Sequence, residues 1–342
     1  MDRNGRRSFL KVGFLSAVGV GYLWREPSGM GRDGTPMLRE LDPPCGPERS
    51  IATLVGAGSA RPREGRALPY RQGPTGGGPA EPAPPFKLGL VTYNLAKDWD
   101  TETIIKNCEA TGFEGVELRT THKHGVEISL GKTQRGEVRK RFADSRVRLV
   151  SLGTTCQYES PDPALVEKNI EETRRWCELA EDLGCLGVKV RPNGFPKGVP
   201  QEKTLEQIGQ ALTKCGDAAR EHGVEIWLEV HGEGTQLPPN IHRILTVANH
   251  PSVGACWNSN LTDVEGGSIQ KSFDLLKPRI RSCHINNLER KSYPWHELFT
   301  LLRGIGFDRY TFAEVGEASC EPVRFMNYYR ALWEYHAGME RP

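Results

Sequence analysis

Beyond Pro85 short apolar runs alternate with longer amphipathic stretches, and this alternation limits the architecture of the chain more than any other feature. Apolar runs joined by helix-length connections must lie parallel, because each connection returns the chain to the end from which the last run started. The runs fall at 87–94, 115–120, 149–155, 187–192, 225–232, 253–260, 280–287 and 309–315. Between them the clearest helices are expected at 163–183 and 203–222, with apolar residues at three- and four-residue spacing. Gly112, Gly184, Gly223 and Gly306 stand where a helix would stop in the left-handed conformation before the next run. Eight such units within residues 86–337 match an α/β fold of the (β/α)8 TIM barrel kind. The competing doubly wound open sheet expects a glycine-rich phosphate loop after the first strand, and Thr92-Tyr93-Asn94-Leu95 stands there instead.

In such a barrel the chemistry lies at the carboxyl ends of the strands, and polar residues gather there. The fifth run ends Leu228-Glu229-Val230-His231, the sixth Trp257-Asn258-Ser259-Asn260, the seventh Cys283-His284-Ile285-Asn286 and the eighth Phe312-Ala313-Glu314. Strand alternation puts Glu229 with His231, Asn258 with Asn260 and His284 with Asn286, each pair on one face. One Glu or His at a strand end is ordinarily a hydrogen-bonded part of the scaffold, but four consecutive strands carrying them point to a site. Glu229, Asn258, His284 and Glu314 offer oxygen and imidazole ligands suited to Mn2+, Co2+, Mg2+ or Zn2+. Earlier strands add Glu117 and Arg119, then Lys189 and Arg191, with His122 and His124 in the loop after the second. Alternating cations in an apolar strand need an anionic or polyhydroxylated partner, for which a carboxylate or a neighbouring Glu such as Glu117 would serve. Tyr293-Pro294-Trp295 would form either an apolar wall for a sugar ring or, more simply, packing for the following helix.

From about Phe86 to Tyr335, and most strongly in its last four strands, the chain resembles the xylose isomerase-like barrel superfamily, which includes sugar phosphate isomerases/epimerases and the tagatose and psicose 3-epimerases. The resemblance implies a metal held by Glu229, Asn258, His284 and Glu314, with Asn258 standing where the family has Asp. It implies Glu229 and Glu314 as catalytic acid and base, and Arg290, six residues after His284, as a holder of substrate hydroxyls. A His that the ketose epimerases carry three residues after the sixth-strand ligand is Leu261 here. Glu117, His122, Lys189, Arg191, His231, Asn260 and Asn286 complete the expected substrate-binding set. The implied activity is isomerisation or epimerisation of a small-molecule sugar by proton abstraction next to a carbonyl. The alternatives are a lyase or dehydratase acting on a keto-sugar or keto-glycoside, and a non-catalytic sugar-binding barrel.

Charge separates the body from what precedes it. Residues 1–85 hold 12 Lys/Arg against 8 Asp/Glu, which leaves 33 against 35 in the remainder. A near-neutral body gives no support for nucleic acid as a partner and argues against the related apurinic endonucleases. Nine cysteines are scattered singly, without a CxxC pair, and are expected to be buried thiols. At the N-terminus, Arg6-Arg7-Ser8-Phe9-Leu10-Lys11 followed by an apolar run resembles a twin-arginine export signal, with Gly5 where Ser or Thr is usual. That resemblance implies residues 1–27 as an export segment read by the twin-arginine machinery, a periplasmic location and, if uncleaved, a membrane anchor. Residues 28–85, rich in Gly, Pro and Arg, are expected to be a disordered linker. A homo-oligomer is compatible with everything above.

Overall fold

A computed structural model describes residues 86–316 and 319–339; the expected export segment and linker lie outside the described residues. Eight strands follow one another as β1 (Lys87–Val91), β2 (Gly115–Arg119), β3 (Arg148–Gln157), β4 (Gly187–Arg191), β5 (Glu225–Glu229), β6 (Val253–Asn258), β7 (Ile280–Ile285) and β8 (Tyr310–Ala313). Neighbours pair in parallel in sequence order, and β8 pairs with β1 to close the barrel. Helices α1 (Thr101–Thr111), α2 (Lys132–Ala143), α3 (Pro163–Leu183), α4 (Gln201–Glu221), α5 (Pro238–Ala248), α6 (Gln270–Leu276), α7 (Trp295–Gly304) and α8 (Pro322–His336) alternate with the strands. None of the described helices is long and apolar enough to cross a membrane.

Local chemistry sets the helix ends. Asp100 accepts from the Thr103 N–H at 2.8 Å to start α1, and Asp162 accepts from the Ala164 N–H at 2.9 Å ahead of α3, where Pro163 needs no partner for a missing N–H. The four glycines expected as helix stops all carry φ between +65° and +76°, a region costly for any side chain. The inner stripe of α3, Ile170, Trp176, Leu179 and Leu183, packs on β3 and β4, as periodicity requires.

Most strands stop short of the expected runs. β5 ends at Glu229, β1 at Val91 and β8 at Ala313, so His231 and Glu314 lie just past the regular ladder. Single bonds still tether these ends: the Val230 N–H donates to the Cys256 carbonyl at 3.0 Å and the Glu314 N–H to the Ile285 carbonyl at 2.9 Å. β3 runs longer than expected, with register shifts against both neighbours.

The lower barrel interior is filled by aromatic side chains lying over glycines. A Cβ on Gly187 would meet the Trp227 ring at 2.5 Å, one on Gly89 the Phe312 ring at 2.5 Å, and one on Gly115 would collide with Tyr310. Tyr310 and Phe312 stack at 5.7 Å. This plug forms a dry floor for the polar layer above it. Seven of the eight described cysteines are buried free thiols, and Cys320 is exposed.

Candidate active site at the carboxyl end of the barrel

One turn of the alternation above the aromatic floor, the inward positions of β2, β4, β5, β6 and β7 carry Glu117, Lys189, Glu229, Asn258 and His284, all buried. Glu314, just past β8, completes the ring. The His284 Nδ1 lies 3.6 Å from Glu229 Oε1 and 3.6 Å from Glu314 Oε1, and its Nε2 lies 3.2 Å from Glu117 Oε1. One ligand atom from each of Glu229, His284 and Glu314 falls within 4.8 Å of the others. Neither ring nitrogen of His284 has a well-directed hydrogen bond, although both are buried.

Glu229 is gripped from the other side. Lys189 Nζ donates to its Oε2 at 2.7 Å, and the Asn258 amide nitrogen donates to Oε1 at 3.3 Å. Asn258 Oδ1 accepts from Asn286 Nδ2 at 3.1 Å. The assignment of nitrogen and oxygen in these two amides follows from that network, and turning both would present Asn258 Oδ1 to the ring. Beneath, Ser151 Oγ donates to Glu117 Oε2 at 2.9 Å.

Burial by itself would push the carboxyls up and the cations down. For Glu229 it is outweighed by Lys189, with His284 and His231, which hold the carboxyl well below the usual carboxylate range. For Glu117 burial is outweighed by His284, Lys189 and Ser151, and the carboxyl is lowered. Lys189 is pulled down by burial but raised above its ordinary value by Glu229 and Glu117. His284 likewise is raised, burial being overcome by Cys256 and by the carboxylates of Glu117 and Glu314.

The remaining expected site residues divide. Arg191 and His231 stand half-buried above the ring, and Arg191 Nε and His231 Nδ1 have no hydrogen-bond partner. Burial lowers His231 and leaves it neutral, and it lowers His122 to about 4 together with the Arg119 charge. His122 Nδ1 is 3.4 Å from Thr92 Oγ1, at the mouth rather than in the ring. Asn260 and Asn286 are tied into the scaffold: Asn260 Nδ2 donates to the Val230 carbonyl at 2.7 Å, and Asn286 Nδ2 also reaches Ser259 Oγ at 3.0 Å. Arg290 is exposed, and among the described residues no hydrogen bond or ion pair joins its guanidinium to the ring. Tyr293 and Trp295 are buried and packed at 4.5 Å, so this segment packs inward. Sequence reasoning missed Ser151, whose inward position on the third strand was its only signal. It also missed Asp263, a buried acid in the loop after β6 with Oδ1 unpartnered.

Fold and ring together point to a family of barrels. The model of the xylose isomerase-like TIM barrel family matches residues 105–324, and the chain belongs to that family. An inosose isomerase from Bacillus velezensis is 22% identical over 204 residues, spanning 58% of this chain and 70% of the relative. Among solved structures, a protein named IolI with a bound zinc atom superposes with a TM-score of 0.61 at 18% identity, covering 73% of this chain and 96% of the other. The 3-keto-D-glucoside 4-epimerase YcjR from E. coli, in its apo form, gives 0.62 at 13% identity over 73% and 99%.

Proposed function

We propose that this barrel is an isomerase or epimerase of a ketose or keto-sugar, working by proton abstraction next to a carbonyl with help from a divalent cation. The observation that carries the proposal is the convergence of Glu229, His284 and Glu314, with His284 Nδ1 buried, unpartnered and equidistant from two carboxylates. That donor set fits a cation of the Mn2+, Co2+, Mg2+ or Zn2+ kind, which these three residues would hold, with Asn258 Oδ1 as a fourth ligand after its amide turns. When bound, such a cation supplies a Lewis acid for a substrate carbonyl and the hydroxyl beside it. The isomerase and epimerase names among the relatives support the same class of reaction.

The protein groups do the proton work. Glu229, kept ionised by Lys189, is a base for the hydrogen on the carbon next to the carbonyl: the C–H bond breaks, its proton passes to the carboxylate and an enediolate is left. Glu314 stands across the ring as the second proton carrier. Return of a proton from the other side of the same carbon gives epimerisation, and return to the neighbouring carbon gives isomerisation. Lys189 places positive charge beside the developing oxyanion, and neutral His231 has a free Nδ1 for a substrate hydroxyl. Glu117 Oε1 lies 3.2 Å from the far nitrogen of His284, so that Nδ1 is the nitrogen left facing Glu229 and Glu314.

The test is deuterium incorporation from D2O into a panel of ketoses and keto-sugars by the Mn2+-supplemented protein. Exchange is expected at a carbon next to the carbonyl, with Glu229→Gln and Glu314→Gln each slowing it by about 10²–10⁴-fold without loss of the folded circular-dichroism signal. Exchange at the parent rate in either variant would sink the assignment of that residue.

A further inference from the structure

We propose that Arg119 and Arg191 form an anion subsite at the mouth of the barrel, so that the substrate is a sugar bearing a carboxylate or phosphate group; this rests on the sugar-isomerase reading of the ring below. The two arginines end β2 and β4, each two residues beyond a buried ring member, Glu117 and Lys189 respectively, so alternation sends them to the same inner face one level higher. Between them runs β3, which contributes Gly153, paired with Arg119 on one side and Lys189 on the other. A Cβ at Gly153 would lie 2.8 Å from Glu117 Oε1 and 3.5 Å from the Arg119 Cα, so the intervening strand offers no side chain there.

What marks these arginines is the lack of a counter-ion. Other guanidiniums in the body do find carboxylates: Arg135 pairs with Glu178 at 2.9 Å and Asp182 at 2.7 Å, and Arg309 with Glu225 at 2.7 Å, while half-buried Arg279 donates to the His250 carbonyl at 3.3 Å. Among the described residues neither Arg119 nor Arg191 has a carboxylate partner, and Arg191 Nε has no hydrogen bond at all. The nearby acids are engaged or withdrawn. Glu229 takes Lys189, Glu117 takes Ser151, and Glu127 accepts from Thr120 Oγ1 and the Thr121 N–H. Glu159 makes no ion pair with Arg191: burial raises its carboxyl, and Asn193 and the Arg191 charge offset that only in part. The Arg119 guanidinium carbon is 4.9 Å from the centre of the Tyr93 ring, a contact that orients the group without neutralising it. Burial and the charge of Arg119 both work against the charge on Arg191, opposed by Glu229 and Glu314 from below. A sugar hydroxyl would give each guanidinium one dipole, whereas a carboxylate or phosphate matches the planar fork and cancels the charge.

Calorimetric binding of D-glucuronate, D-glucose 6-phosphate and D-glucose to the full chain tests this. At least one acid is expected to bind about tenfold more tightly than D-glucose, with the margin shrinking as ionic strength rises. Arg119→Gln and Arg191→Gln should each remove most of that margin. A response to glucuronate alone assigns the subsite to carboxylates, and to glucose 6-phosphate alone, to phosphates. The proposal is overturned if neither acid outbinds D-glucose, if the margin ignores salt, or if it survives in the double variant. The salt series uses the parent chain, so it tests the subsite even where an arginine variant misfolds. Deuterium exchange reports the reaction separately: exchange without acid preference removes the subsite alone, and acid preference without exchange removes the isomerase reading alone.

Discussion

The lower and upper halves of the barrel interior are built from the same strands, two residues apart, and they solve opposite problems. Below, Trp227, Tyr310 and Phe312 fill space left by Gly187, Gly115 and Gly89, and the Trp227 N–H is satisfied by Glu225 at 2.7 Å. Above, Glu117, Lys189, Glu229, Asn258 and His284 are equally buried, yet unpartnered atoms gather there: Glu117 Oε1, both His284 nitrogens, His231 Nδ1 and Arg191 Nε. Buried polar groups are normally paired, so a concentration of exceptions marks the half arranged for a ligand instead of for its own stability. The lower half should therefore answer substitution with stability alone, and the upper half with ligand binding or protonation.

The largest effect is expected outside both halves, at Asp263, which lies in the loop after β6 and against Tyr293. Burial lifts its carboxyl to about 8, against the Asn260 N–H at 3.0 Å and the Tyr293 hydroxyl at 3.4 Å, which pull it down. A folded-state value above the unfolded one means that the native protein binds the proton more tightly. This group's contribution is then complete below about pH 4 and is lost as pH rises towards 8, at up to about 1.4 kcal/mol per pH unit. Asp263→Asn keeps an oxygen for both donors and needs no proton, so its melting temperature should exceed the parent's at pH 8, with the gap closing towards pH 4. A gap independent of pH would show that Asp263 is ionised in the fold.

Gly187→Ala probes the floor. Its Cβ would stand 2.5 Å from the indole of Trp227, which has no free volume to enter, and about 1–3 kcal/mol of stability should be lost. Urea unfolding measures the loss, while the fraction still folded should keep the parent's deuterium exchange per molecule. Lower exchange at equal folded fraction would mean that the floor transmits strain into the ring and that the two halves are not separable.

The architecture was legible because strands covered on both sides must be apolar along their length, and only their carboxyl ends are released to carry Glu229, Asn258, His284 and Glu314. Pairing within the ring was not legible. Nothing in the order of residues says that Lys189 will spend its charge on Glu229, since the two meet only when β4 and β5 lie side by side. Where Arg290 would stand was not legible from its spacing to His284 either. The loop that bears it is fastened inward by Tyr293 and Trp295, the Tyr293 hydroxyl accepting from the Trp257 indole at 3.1 Å, and the arginine is left exposed. Asp263 was passed over because a lone acid after a strand reads as a surface cap, and only the folded loop buries it.

Asn258 is where the two halves can be set against each other most finely. As an amide it fits the neutral logic of the floor, donating to Glu229 and accepting from Asn286, while its position belongs to the ring. With Lys189 already on Glu229, the ring holds one positive charge and lacks one negative charge relative to a site with Asp at this position, and both differences disfavour a divalent cation. Asn258→Asp should accordingly tighten Mn2+ by about tenfold, which is about 1.4 kcal/mol. Without metal it should destabilise the fold, because a fourth carboxylate then joins Glu117, Glu229 and Glu314 in the ring. Mn2+ titration followed by electron paramagnetic resonance, with melting curves in chelator, reads both signs. Tighter metal with a weaker apo fold would mean that Asn258 trades cation affinity for a ring that is stable when empty. Unchanged Mn2+ affinity would mean that the cation, if held, rests on Glu229, His284 and Glu314 without help from the sixth strand.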